Sequence, residues 1–255
     1  MQSLKQHLKR LRFALLAPSL TVNPHNERRA VVYVKSKLIY NRIKKSGNSS
    51  ILLFLDKIVY GGPGSDSEDY GKAKAASLRR TARPFDLPSR ELRQLSDYYK
   101  FTVFRNPYTR CLSMFLQKVA TGQRAGYSFS PGFGEDTPEG FEKFVSFLEE
   151  GGITSNSHFF PQTDLLFFRP EDFSHIGKLE DLDAELRRVC NDAGLPYPQD
   201  LEASRPHRLE ETSEGKVTRS SEKLKRYYTP SLFDRVRKLY MSDFKIGRYD
   251  TRPPT

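Results

Sequence analysis

Two short stretches of this 255-residue chain carry side chains able to hold a polyanion. In the first, Lys44-Lys45-Ser46-Gly47-Asn48-Ser49-Ser50 lies between a strand-like run, residues 38 to 43, and residues 51 to 60, which are apolar nearly all round and stopped by Gly61-Gly62. A strand, a glycine-bearing turn and a helix N-terminus make a phosphate cradle. Gly47 lets the backbone approach a ligand, the first-turn amides point at it, and Ser49 and Ser50 add hydroxyls. In the second, the apolar run Phe101-Thr102-Val103-Phe104 leads into Arg105-Asn106-Pro107. This predicts a buried strand, then a helix with Asn106 as N-cap and Pro107 as its first residue. Arg105 at that junction, with the Ser113 hydroxyl two turns on, has the donors a dianionic phosphate requires. Each stretch also has a plainer local reading: a solvated Lys-Lys-Ser turn, and an Arg105 paired with a carboxylate beside a packed Ser113. The nucleoside-triphosphate loop Gly-x-x-x-x-Gly-Lys-Ser/Thr does not occur, because Lys45 precedes Gly47.

The elements that must position these residues can be read along the chain. Residues 31 to 34, 38 to 43, 101 to 104 and 173 to 179 are strand-like, with 38 to 43 expected at the centre of the sheet. Thr137-Pro138 opens an amphipathic helix with Phe141, Phe144, Val145 and Leu148 on one face; Leu182, Leu186 and Val189 mark another; Thr229-Pro230 opens a third with Leu232, Phe233, Val236 and Leu239 as its stripe. Strands alternating with helices predict an α/β fold: a P-loop-like central parallel sheet flanked by helices, in a single domain over residues 31 to 250. Residues 61 to 96, with Lys72, Lys74, Arg79, Arg80 and Arg83, read as a basic excursion with one short helix, and residues 121 to 136 as a loop of glycines and aromatics. Residues 1 to 30 form a basic helix and linker. Its Leu4, Leu8, Leu11 and Leu15 predict a helix docked on the domain through its leucine face, with a membrane-surface helix as the alternative. Its apolar run over 13 to 17 is too short for a bilayer span.

The formal charge of +11 calls for anionic partners: nucleotide, acidic glycan, anionic lipid or nucleic acid. The basic residues are scattered rather than gathered into an arm, which weighs against nucleic acid. Two cysteines, Cys111 and Cys190, are too few for a disulfide framework and lack metal-type spacing, so no metal site is expected.

The pattern Arg105-Asn106-Pro107-x-x-Arg110-x-x-Ser113 resembles the 3′-phosphate motif of sulfotransferases that use 3′-phosphoadenosine 5′-phosphosulfate (PAPS), most closely the membrane-type carbohydrate group (sulfotransferase family 2). The loop at Lys45 resembles that family's Pro-Lys-x-Gly-x-Thr-Ser, with Lys44 in place of the usual proline. Ser157-His158-Phe159-Phe160-Pro161-Gln162, Ile176-Gly177-Lys178-Leu179-Glu180-Asp181-Leu182 and Tyr240-Met241-Ser242-Asp243-Phe244 are similar to further family segments. The resemblance implies an enzyme moving a sulfonate from PAPS to an acceptor hydroxyl, most readily on a glycan, and leaving 3′-phosphoadenosine 5′-phosphate. It assigns Lys45, Ser46, Gly47, Asn48, Ser49 and Ser50 to the 5′ end of the nucleotide. Arg105 and Ser113 go to its 3′-phosphate, with Lys216 and Arg219 in a loop over the nucleotide. Lys45 would stabilise the bridging oxygen and His158 would deprotonate the acceptor, with Asp164 and Glu180 as competing bases. Animal relatives are anchored in the Golgi by an N-terminal span. Without such a span a cytoplasmic protein is expected, or a Golgi-lumenal one if this is a trimmed catalytic domain. Two other classes stay open: a kinase-like phosphotransferase, and a non-enzymatic basic nucleic-acid binder.

Overall fold

The structure, a computed structural model, describes residues 2–62, 69–120, 134–198 and 223–253. In chain order the described elements are helix α1 (Gln2–Leu16), strands β1 (Ala30–Tyr33) and β2 (Leu38–Asn41), helices α2 (Asn48–Tyr60), α3 (Tyr70–Arg79) and α4 (Ser89–Arg93), and strand β3 (Tyr99–Phe104). Helices α5 (Pro107–Met114) and α6 (Pro138–Glu149), strand β4 (His175–Lys178), and helices α7 (Leu182–Asp192), α8 (Leu224–Tyr227), α9 (Pro230–Leu239) and α10 (Met241–Ile246) follow. Among the described residues the four strands form one sheet in the order β1-β2-β3-β4, flanked by helices, so the α/β class expected from the sequence is the one found. The central pair β2·β3 is parallel, with Asn41 opposite Thr102. Beside this expected parallel centre, the edge strand β1 pairs antiparallel with β2. Only four residues separate the two strands, and a connection so short can make a hairpin but not a parallel crossover. Lys37 takes the left-handed conformation (φ 46°) that closes it.

The chain gathers into two compact units, each assembled from three stretches: residues 1–43, 47–103 and 165–206 in one, and 44–46, 104–164 and 207–255 in the other. The first unit holds the sheet. One face, with Val31, Tyr33, Leu38, Tyr40, Phe101 and Val103, packs with Ile51, Leu52 and Leu55 of α2 and Leu186 and Val189 of α7. The other face, with Val32 and Ile39, packs with Phe13, Phe85, Leu92 and Phe167. Alternation of side chains across the strands sends the two sets to opposite faces. The second unit is helical, with Cys111, Leu112 and Phe115 of α5 and its continuation packed on Phe141, Phe144 and Leu148 of α6 and on Leu232 and Val236 of α9.

The local signals hold where physics is local. Asn106 caps α5 by accepting from the Tyr108 and Thr109 amides at 3.0 and 3.4 Å, with Pro107 at N1. Thr137 and Thr229 cap α6 and α9 in the same way. The N-terminal helix is a correction. Leu4, Leu8, Leu11 and Leu15 are 64, 55, 48 and 78 % exposed, so the leucine face is turned away from the domain. What docks α1 is its opposite side. Phe13 packs edge-on to Phe85, centroids 5.2 Å apart, the Arg12 guanidinium donates to the carbonyls of Phe85 and Leu87, and Lys9 pairs with Asp86. One buried aromatic ring with directed hydrogen bonds outcompetes a stripe of leucines for the domain surface.

Asn41, wholly buried at the end of β2, donates to the Leu165 carbonyl at 3.2 Å and accepts from the Phe167 amide at 2.7 Å. Asn41→Leu strands both backbone groups, and we expect it to lower unfolding free energy by about 2–4 kcal/mol. Urea denaturation followed by circular dichroism measures the loss. An unchanged midpoint would show that the pair of bonds contributes nothing.

Candidate functional site

Parallel pairing of β2 and β3 sends both strands out of the same edge of the sheet, which is where α/β folds place their ligands. The chain leaves β2 through Lys44-Lys45-Ser46 and leaves β3 through Arg105-Asn106. Both segments belong to the second unit, and there they are hydrogen-bonded to each other. Arg105 donates from Nη1 to the Lys45 carbonyl at 3.3 Å and from Nε to Thr109 Oγ1 at 3.1 Å. Arg110 donates from Nε to the Lys44 carbonyl at 3.1 Å and from Nη2 to the His158 carbonyl at 3.2 Å.

A single buried carboxamide fixes the register of this assembly. Gln162 Oε1 accepts from Ser46 Oγ at 2.8 Å and from the Arg105 amide at 2.9 Å, while Nε2 donates to the Arg105 carbonyl at 2.9 Å. The Gln162 and Thr163 amides in turn donate to Asp243 at 2.8 and 3.0 Å. Asp243 lies 3.9 Å from Arg110, and both are buried. Burial pushes the Asp243 carboxyl up and the Arg110 guanidinium down, and their mutual attraction opposes both shifts. The sequence quoted Arg110, Gln162 and Asp243 as parts of motifs without giving them a task; only their meeting in space supplies one.

Lys45 holds a left-handed backbone (φ 69°), a conformation that costs a non-glycine residue roughly 1–3 kcal/mol. Its ammonium donates to Gln117 Oε1 at 2.6 Å. Gln117 lies in a π-helical turn, residues Phe115–Val119, that continues α5; such turns insert an extra residue and recur at functional sites. No sequence signal pointed to it. Burial, then the nearby Arg105, Lys118 and Arg110 charges, pull the Lys45 amine down to about 7. His158 is subject to the same field. Burial first, then Lys44, Lys118, Lys45 and Arg110, press the imidazole down to about 3. His158 Nδ1 lies 2.9 Å from Asn156 Oδ1 and 3.4 Å from Lys44 Nζ. With the proton on Nδ1 the ring donates to Asn156, which leaves Nε2 as the basic nitrogen.

Lys45, Ser46, Arg105, Ser113 and His158 thus fall in one unit. Ser113 is 1 % exposed, inside a helix whose every residue is buried. Gly47, Asn48, Ser49 and Ser50 follow Ser46 directly and open α2 in the first unit, with Gly47 at φ 64° as the N-cap residue. A Cβ on Gly47 would meet Leu179 Cδ1 at 2.7 Å, so the turn tolerates no side chain without movement. Gly47 has no side chain with which to cap α2, and the first-turn amides have no acceptor within the helix. Of the competing bases, Asp164 is exposed in the second unit, and Glu180 is exposed in a turn of the first. Lys216, Arg219 and all but the last three residues of the aromatic loop expected over 121 to 136 lie outside the described residues.

A family model described as "Sulfotransferase family" matches residues 28–250. No curated protein and no solved structure matches the chain.

Two measurements check the site's physics. Lys45 is expected to titrate with a midpoint of about 7 in the ligand-free protein, read by NMR of methylated lysines assigned with Lys45→Arg; a midpoint near the ordinary lysine value would contradict the desolvated cluster. Gln162→Leu removes its bonds to the Arg105 amide and carbonyl and to Ser46, and we expect about 2–4 kcal/mol of destabilisation in thermal or urea unfolding. Wild-type stability in that variant would remove Gln162 from its central place.

Proposed function

The chain belongs to the sulfotransferase family, and from that premise we propose that it transfers a sulfonate group from PAPS to an acceptor hydroxyl, with a carbohydrate as the favoured acceptor. The observation that carries the reading is the junction of the two anion-binding stretches: the Arg105 guanidinium on the Lys45 carbonyl, with both segments fixed to Gln162. Cations that depress one another's proton affinity form a site prepared for a multivalent anion, because the anion returns the Coulomb energy their proximity costs. A nucleotide phosphorylated at both ends supplies that charge.

In this scheme the Lys45-Ser46 backbone, Asn48, Ser49, Ser50 and the α2 N-terminus hold the 5′ end, and Gly47 admits it. Arg105 holds the 3′-phosphate, together with Ser113 once its surroundings yield; Lys216 and Arg219 are candidates for further nucleotide contact. PAPS supplies the activated sulfonate: its S–O bond to the phosphate breaks as a new S–O bond to the acceptor oxygen forms. Protonated Lys45 stabilises the charge gathering on the departing phosphate oxygen. His158 Nε2 accepts the acceptor's proton. At about 3 its basicity is too low for that task in the free protein; burial, the first cause, stays, while an anion beside Lys44, Lys45 and Lys118 offsets the part that their charges contribute. Nucleotide binding therefore prepares both groups, charging Lys45 and making His158 more basic. The basic stretch over Lys72 to Arg83 supports an acceptor that itself carries carboxylate or sulfate.

Calorimetric titration with 3′-phosphoadenosine 5′-phosphate, 5′-AMP and ATP tests the reading. We expect preference for the 3′-phosphorylated ligand and a loss of about 10- to 100-fold in affinity for Arg105→Ala, the worth of a charge-assisted hydrogen bond. Equal or absent binding of all three nucleotides by folded wild type would overturn it. The pH dependence has a definite sign. Lys45 is half-charged at about 7 without ligand and held protonated with it, so binding takes up a proton above that pH. Affinity then falls by up to about tenfold per unit as pH rises, until the bound-state pKa is passed. In turnover with PAPS, Lys45→Ala should lower kcat by about 10²–10³. It should fold as well as wild type or better.

A further inference from the structure

Among the described residues, helix α1 presents an apolar face that stays largely exposed. At 100° per residue Leu4, Leu8, Leu11 and Leu15 fall within about 60° of arc, a continuous stripe along the whole helix. All four are about half or more exposed. Phe13, on the opposite side of the helix, is buried, and with Arg12 and Lys9 it holds α1 flat along the unit. The stripe is therefore presented by a helix already folded and anchored, and covering it requires no rearrangement of the core.

Charge decides what the stripe fits. The helix carries Lys5, Lys9, Arg10 and Arg12 and no carboxylate. The 4-3-4 leucine spacing is that of a coiled-coil seam, yet a second copy is the wrong partner. Lys5 and Arg12 occupy the flanking positions where an interhelical pair needs acidic residues. Nor does the helix suit a bilayer interior, since Lys5, Lys9, Arg10 and Arg12 are spread along it, and among the described residues no helix is long and apolar enough to cross a membrane. A narrow leucine stripe with cationic flanks, lying tangent to the domain, matches a plane that is apolar beneath and negative on top.

We propose that the outward face of α1, Leu4, Leu8, Leu11 and Leu15 with Lys5 beside them, is a docking surface for an anionic lipid membrane. The leucines enter the boundary between headgroups and acyl chains, and Lys5 meets lipid phosphate. This inference is independent of the sulfotransferase reading, because it uses none of the residues assigned to the nucleotide.

Co-sedimentation of the full chain with vesicles tests it, using phosphatidylcholine alone and phosphatidylcholine mixed with phosphatidylserine, at low and high salt. Binding is expected to the mixed vesicles, to weaken at least about tenfold on neutral ones, and to fall with salt. The exposed double variant Leu8→Ser/Leu11→Ser should lose at least about tenfold in vesicle affinity, and Lys5→Gln about fivefold. Both should retain the wild-type far-ultraviolet spectrum and titrate nucleotide as wild type does, so failure here and failure of the nucleotide site are read separately. Wild type that ignores anionic vesicles, or a double variant that binds them equally, overturns the proposal. So does a wild-type dimer in sedimentation velocity that the leucine variant renders monomeric, since it makes a second copy the occupant.

Discussion

The arrangement of the second unit depends on a buried carboxamide. Gln162 has two acceptor lone pairs and two N–H donors, and three of these contacts go to Ser46 and to both backbone groups of Arg105. No hydrophobic contact could set two loops in one register, because dispersion is non-directional, whereas a carboxamide distinguishes a donor from an acceptor at each corner. Its own backbone is held by Asp243, whose charge is balanced by Arg110, and Arg110 reaches back to the carbonyls of Lys44 and His158. The network closes on itself. Such a network is strong while complete and expensive when broken, since each group left behind is a polar atom out of water.

That scaffold forces like charges together. Lys44, Lys45, Arg105, Arg110 and Lys118 act on a small region where Asp243 is already committed to Arg110 and to backbone amides. Burial first, and these charges after it, bring the Lys45 amine down to about 7 and the His158 imidazole down to about 3. Lys45 also occupies a backbone conformation better suited to glycine. A sequence selected only for stability would not combine a desolvated cation with a strained backbone at one residue; binding an anion is a function that would justify both.

The sheet contributes direction more than stability. Because β2 and β3 run parallel and in register, the chain leaves both strands at the same edge of the sheet. The antiparallel β1 does not disturb this, since it lies outside β2 and only protects its flank. The N-terminal helix shows the opposite case, an element whose periodicity was plain and whose orientation was not.

The sequence by itself determined the elements whose cause is local. Asn106-Pro107, Thr137-Pro138 and Thr229-Pro230 place helix starts because capping and the proline φ act within three residues of chain, and strand runs are legible from β-branched and aromatic composition. It also carried the motif wording on which the family resemblance rested. The tertiary structure decided which face of α1 is buried, since four leucines and one phenylalanine both make an apolar side and only the available partners choose between them. It alone gave Gln117, Arg110 and Asp243 their tasks, because hydrogen bonds and ion pairs between residues 66 to 133 positions apart leave no trace in local spacing. It also set the proton affinities of Lys45 and His158, which follow from desolvation and from charges that the fold, not the chain order, brings near.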